Sequence, residues 1–449
     1  MLNISSKFSD FEINDQMIKA FTAIDEGKNV FIMGNAGTGK SVSIEIIEDA
    51  LTSKGKSVAL LAPTGVASVR IGGQTIHSFF KLAPVPQTID ELNSHFKQEM
   101  FDILPFVDTI IIDEIPMVRS DVFGAIDSLL KKYRLDEAPF GGVQMIIVGD
   151  LFQLPPVVKK DTSEEKFLNL TFGSEWFFDT RAYKDGNFNY IEYVKTYRQK
   201  DSIFIDMLNR IRKGKHTDDD LLKLNRKRIP LNIFHKKVEQ YMYIAMTNQV
   251  AIDINNEKLN QLPTEEIYIP SESDYIFENT KLKDSDLMIP RDLVIKEEAQ
   301  VMILINRMDE GYQNGTIGTL KGIFRSDSGE ISSLLIYVPQ LSSDIILPKV
   351  KTAIYEYVMN NQNKLEKKVV YEYKQFPIKL AWALTVHKTQ SATFDSIYID
   401  KGWGAFSPGQ TYVALSRCRS FDKIGLKSLI TNKDIIVHDR VIQFLREVS

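Results

Sequence analysis

An α/β fold with parallel sheets is predicted by three observations. The first is the run Gly34-Asn35-Ala36-Gly37-Thr38-Gly39-Lys40-Ser41, which reads G-x-x-x-x-G-K-[ST] between an apolar strand (residues 30–33) and an amphipathic helix. The second is a series of short apolar runs that end in polar residues and alternate with helical periodicity. The third is the return of this pattern from residue 376, after a stretch of β character. Together they predict two α/β units with their ligands at the C-terminal edges of the strands.

Composition sets bounds on this reading. A chain of 449 residues suggests two to four domains at about 150 residues each. Its 43% hydrophobic and 25% charged content suits full cores. No apolar run reaches the roughly 18 residues that a membrane span needs. The polar residues 1–10 lack a signal-peptide core. The single Cys418 excludes an internal disulfide and a cysteine-built metal site, so a cytosolic location is expected. A net charge of −4 excludes a generally basic surface, and any nucleic-acid site must be a local groove.

Phe11, Ile13, Met17, Ile18 and Phe21 predict a short helix carrying Gln16 beneath the glycine run. In the run itself, glycines let backbone N–H groups turn around phosphate oxygens. The helix N-terminus adds partial positive charge there. Lys40 is expected on the β- and γ-phosphates and Ser41 on Mg²⁺, which makes ATP or a similar nucleotide the expected ligand.

A second strand, residues 58–62, ends in Pro63-Thr64-Gly65. His77, Phe79 and Phe80 close the segment that follows. Residues 81–105 hold Pro84, Pro86 and Pro105 and read as an inserted loop or small hairpin. A third strand, 107–112, ends in Asp113-Glu114, the expected partner of a phosphate loop: Asp113 for Mg²⁺, Glu114 to orient or deprotonate water. A helix over 121–132 and a strand over 143–148 follow, and Gln153 lies just past that strand's end.

Residues 158–188 read as charged, irregular and a domain boundary. The second α/β pattern then starts with a strand at 190–194, Thr196-Tyr197-Arg198-Gln199 and a helix at 203–211. The basic run at 223–237 reads as a solvated face. From 299 to about 373 short strands with Asn314-Gly315 and Ser328-Gly329 turns suggest a small inserted barrel. The α/β pattern returns with AWALTVHK at 381–388 and a helix at 410–417 that carries Arg417.

Hydrolysis of a phosphoanhydride needs positioning and charge neutralisation more than covalent chemistry. The first unit supplies a cradle, a metal ligand, a water-orienting glutamate and a glutamine, but no obvious arginine. The second offers Arg198 and Arg417, and an arginine finger is worth about 10³ to 10⁵ in rate. Hydrolysis would then require the two units to close on the nucleotide.

Seven segments stand in the order of helicase motifs: GNAGTGKS (34–41), APTGVASVRIGGQTIHSFF (62–80), DEIPM (113–117), GGVQMIIVGDLFQLPPV (141–157), TYRQ (196–199), LTVHKTQSATFD (384–395) and QTYVALSR (410–417). By these the chain resembles the PIF-type DNA helicases of the RecD-like branch of helicase superfamily one. The resemblance spans about Gln16 to Arg419. It implies two RecA-like motor domains, one over 1–165 and one over 166–298 with 376–449. It also implies a wedge within 81–105 and an SH3-like β insert over 299–375.

By position it implies that Gln16 reads adenine and that Gly34, Ala36, Gly37, Thr38, Gly39, Lys40 and Ser41 hold phosphate. Ser41 and Asp113 match the Mg²⁺ ligands and Glu114 the catalytic acid. Gln153, Arg198 and Arg417 match the γ-phosphate contacts. Thr64 and His77 in the first unit, and Thr385, His387 and Lys388 in the second, match DNA-contacting positions; Phe80 is added by its type alone, as an aromatic ring expected to stack on a base in the same groove. The implied activity is ATP-driven 5′-to-3′ translocation on single-stranded DNA by a monomer, with unwinding of tailed or forked duplexes and of G-quadruplexes. No membrane partner is expected. Two positions depart from the family pattern: Pro116 replaces a usual serine and Ser391 a usual glycine. An ATP-gated DNA clamp without unwinding is the alternative, and it would not need both arginines. A P-loop kinase fits poorly with the 381–395 segment.

Overall fold

The computed structural model describes residues 4–83, 86–88, 92, 97–158, 161–197, 201–229, 241–276, 287, 289–305, 307–312, 314–359, 365–390 and 392–448. Its first sheet has six parallel strands in the order β3-β2-β4-β5-β1-β6. They are β1 (Val30–Gly34), β2 (Val58–Ala62), β3 (Gln74–Thr75), β4 (Thr109–Ile112), β5 (Gln144–Gly149) and β6 (Asn189–Tyr193). Strands β1, β2, β4 and β5 are buried along their whole length. Helices cover both faces of a parallel sheet, so its inner strands are near-continuous apolar runs.

The first unit runs beyond residue 165, where the sequence reading ended it. β6 pairs in parallel with β1, Val30 opposite Asn189 and Gly34 opposite Tyr193. The segment read as irregular contains helices Ser163–Phe172 and Arg181–Asp185. Its Trp176, Phe177, Phe178 and Tyr183 join the core around Phe123 and Phe140. The C-terminal helix Asp439–Val448 also returns to this unit. There Phe444 stacks on Phe178 with centroids 4.2 Å apart, and Arg440 pairs with Asp179.

The second sheet is parallel, with β7 (Met242–Ala245) between strands Ala383–Thr385 and Ile397–Asp400 and with Ile424–Leu426 at its far edge. Helix Ser202–Arg212 packs on it through Phe204, Met207, Leu208 and Ile211.

Between the halves of this unit lies an antiparallel β region. Five strands run in the order Ser343–Pro348, Ile331–Val338, Ile317–Arg325, Gln300–Ile303, Ile378–Leu380. Its core draws Ile269, Leu293, Ile295 and Ile378 from outside 299–375 to join Val301, Leu320, Leu334 and Ile336. A second sheet joins the long hairpin Val350–Met359 and Leu365–Gln375 to Glu272–Ile276. In the region read as a wedge, helix Gln98–Ile103 is described, and its Met100 and Ile103 are anchored in the first core. Among the described residues no helix is long and apolar enough to cross a membrane.

Candidate active site and nucleic-acid face

One cavity of about 860 Å³ opens between the two α/β units. The glycine run forms its floor. Gly37 and Gly39 have φ of 79° and 84°, left-handed values that glycine takes without steric cost. Gly39 caps helix α2 (Lys40–Ser53), so the first-turn N–H groups face the cavity. Lys40 Nζ donates to Gly34 O and Asn35 O, both at 2.8 Å. Burial lowers its pKa, against the pull of Asp150, Glu114 and Asp113. Ser41 is exposed to the cavity, whereas the Thr38 side chain is buried and donates to Asn35 O at 2.9 Å.

The end of β4 delivers Asp113 and Glu114 to the same cavity. Glu114 has φ 50° and ψ 42°, a conformation that costs on the order of 1–3 kcal/mol in a non-glycine residue and clusters at functional sites. Its N–H donates to Asp113 Oδ1 at 2.9 Å. Pro116, one of the two departures from the family pattern, lies so close to Gly149 that a Cβ there would stand 2.3 Å from its Cδ. Glycine at 149 thus makes room for the proline. The other departure, Ser391, lies outside the described residues.

Gln153, 7% exposed, reaches the cavity from beyond β5 and donates from Nε2 to Asp150 Oδ2 at 3.3 Å. Opposite, the second unit contributes Arg417. Its guanidinium donates to Val413 O (2.9 Å), Thr389 O (3.2 Å) and Ser416 Oγ (2.8 Å), and burial lowers its pKa to about 10. Arg198 lies outside the described residues.

Further side chains belong to the site and were not read from the sequence as members of it. Phe11 and Tyr197 line the cavity with ring centroids 5.3 Å apart, and Tyr197 N–H donates to Gly37 O at 2.7 Å. Gln16, half-buried on helix α1 (Asp15–Asp25), is not among the lining residues. Tyr412 accepts from the Ala36 N–H and donates to Asp150 Oδ2, each at 3.2 Å, so the Ala36 amide faces a side chain of the second unit.

The expected DNA-binding residues divide. Thr64 caps helix α3 (Gly65–Arg70), its Oγ1 accepting from Ala67 N–H at 3.3 Å. His77 is half-buried on the short helix α4 (Ile76–Phe79), His387 is half-buried, and Lys388 is exposed. Phe80 must be corrected: it is wholly buried, packed edge-on to Phe79 at 5.0 Å, and cannot stack on a base. Thr385 is also corrected, being 2% exposed with its Oγ1 turned toward Lys388 N–H at 3.4 Å. That threonine shapes the turn that presents Lys388.

Comparisons place this geometry. The PIF1-like helicase family model matches residues 10–221. The ATP-dependent DNA helicase Pif1 of Campylobacter jejuni is 30% identical over 87% of this chain and 86% of its own length. The ATP-dependent DNA helicase RRM3 of Saccharomyces cerevisiae is 29% identical over 94% of this chain, which spans 65% of that protein's length. The Pif1 crystal structure from Bacteroides sp with ADP-AlF4 superposes with a TM-score of 0.86 at 32% identity, covering 98% of this chain and 97% of that one. Bacteroides Pif1 bound to single-stranded DNA, with the same identity and coverage, gives 0.68. The chain belongs to the PIF1-like helicase family.

Proposed function

We propose that the chain is an ATP-driven DNA helicase that translocates 5′ to 3′ on single-stranded DNA as a monomer and opens tailed duplexes, forks and G-quadruplexes. The observation that carries this reading is the convergence of Lys40, Ser41, Asp113, Glu114 and Gln153 with Arg417 of the other unit on one cavity. A hydrolytic site split between two bodies makes nucleotide turnover a clamp cycle. The closer likeness to the ADP-AlF4 form than to the DNA-bound form of the Bacteroides helicase supports a rearrangement when DNA enters. A cytosolic location fits the single buried thiol of Cys418.

The donor set fits Mg²⁺ carried in on phosphate. Such an ion takes one or two protein oxygens and keeps water and phosphate oxygens for the rest. Ser41 and Asp113 supply that number, and among the described residues no cluster of three or more acidic, His or Cys side chains suits an all-protein site. When bound, the ion neutralises charge on the phosphates. Lys40 exchanges its two loop carbonyls for phosphate oxygens. The backbone N–H groups of Gly37 to Ser41 cradle the same groups. Glu114 orients the attacking water, Gln153 senses the terminal phosphate, and Arg198 and Arg417 meet the developing charge. Phe11 and Tyr197 wall the base, with Gln16 at its edge. Thr64 and His77 in one unit and His387 and Lys388 in the other track the DNA backbone.

ATP hydrolysis measured with and without single-stranded DNA tests this function. The reading expects stimulation by DNA and its loss in Lys40→Ala with the fold retained. No stimulation would leave the motor without support.

A further inference from the structure

Helix α3 ends in Arg70, whose Nη2 lies 2.5 Å from Asp113 Oδ2 and 3.7 Å from Glu114 Oε1. Its Nε is buried and has no hydrogen-bond partner. The side chain lines the same cavity as Lys40 and Arg417. The chain leaves α3 through Gly73, packed so tightly on β2 that a Cβ there would stand 2.1 Å from Leu60 O, which fixes the end of the helix from which Arg70 projects. Asp113 and Glu114 are neighbours with little solvent, at 4% and 13% side-chain exposure. Two such carboxylates need a cation beside them.

We propose that Arg70 is a positioning residue that competes with the divalent cation for Asp113, holding the carboxylate pair until metal-bound nucleotide displaces it. This rests on the reading of Asp113 as a metal ligand. A guanidinium on Oδ2 takes the lone pairs that a metal ion, or its water, must face. The exchange keeps the charges in the cleft matched: the ion takes over Asp113, and the guanidinium turns to an anionic acceptor brought by the nucleotide. The partnerless Nε supports a second arrangement, because a buried N–H without an acceptor is costly and native structures rarely keep one. Arg70 thereby couples nucleotide entry to metal entry, since either alone leaves one cation or one anion unmatched.

The test is a Mg²⁺ titration of fluorescent ATP-analogue binding to the full chain, comparing wild type with Arg70→Gln and Arg70→Lys. The half-saturating Mg²⁺ concentration should fall about fivefold in Arg70→Gln, the factor set by a partly exposed ion pair. Arg70→Lys keeps the charge but not the fork, should shift the same way by less, and serves alone if the glutamine variant does not fold. An unchanged or raised Mg²⁺ requirement in the folded variants overturns the inference while leaving the hydrolytic reading intact. Binding by the wild type with no dependence on Mg²⁺ overturns the inference together with the reading of Asp113 as a metal ligand.

Discussion

Arg212 places both Nε and Nη2 on Oδ1 of Asp150, at 3.0 and 2.8 Å. Both side chains are buried, at 1% and 0% exposure. Asp150 follows β5 of the first unit, and Arg212 ends helix Ser202–Arg212 of the second. The other oxygen, Oδ2, accepts from the Tyr412 hydroxyl and Gln153 Nε2, and the guanidinium lies 4.5 Å from the Phe152 ring centroid. One carboxylate thus ties the second unit to the phosphate loop, through Tyr412, and to the glutamine at the cavity.

Breaking this pair strands a buried charge. Arg212→Met should lower stability by about 3–5 kcal/mol, the usual result of removing one partner of a buried pair. Adding Asp150→Asn should recover part of the loss, because the stranded charge is then gone. Urea denaturation of the two variants measures both quantities. A loss below about 1 kcal/mol in Arg212→Met would mean that the contact is not maintained in solution.

Phe80 packs in the first core, so its loss should act on stability and not on DNA. Phe80→Ala should cost about 3–5 kcal/mol, while Phe80→Leu should fold and bind single-stranded DNA with unchanged affinity. Fluorescence anisotropy with a labelled oligonucleotide checks this. A tenfold weaker affinity in a folded Phe80→Leu would restore the stacking role that the burial excludes.

Two histidines predict a pH dependence. Burial lowers the pKa of His77, with Arg119 adding to the effect and Asp121 opposing it, and burial lowers that of His387. The unfolded chain therefore takes up these protons first, from about pH 6.5 downward. The stability they contribute is fully present above that pH and is lost as pH falls through the folded values. The urea midpoint should be level near neutrality and decline in mild acid, and His77→Gln with His387→Gln should flatten the decline. An equal slope in the double variant would assign the titration elsewhere.

Much of the hydrolytic half of the site was legible in the sequence because its signals are local. A glycine run between strand and helix, and polar residues at strand ends, specify their own backbone geometry. Arg70 was not legible: it faces Asp113 from 43 positions away, and nothing near it marks it as different from a surface arginine on a short helix. Tyr412 meets Asp150 across 262 positions, a contact that exists only once the two units are docked. The membership of β6 was misread because a strand's sequence specifies its burial and not its ladder partner, and β6 adds to the first sheet beside β1. The charged residues of 158–188 hid the apolar spacing of Trp176, Phe177, Phe178 and Tyr183. Phe80 shows the reverse error, in which an aromatic beside polar residues was read as a surface platform although its ring fills the core.

Directional unwinding tests the central claim most directly. The chain is given ATP and Mg²⁺ with two duplexes that differ only in carrying a 5′ or a 3′ single-stranded tail, and strand separation is followed by fluorescence. The account predicts unwinding of the 5′-tailed duplex, little of the 3′-tailed one, and none by Lys40→Ala. Unwinding from the 3′ tail alone, or equal activity in Lys40→Ala, would contradict it.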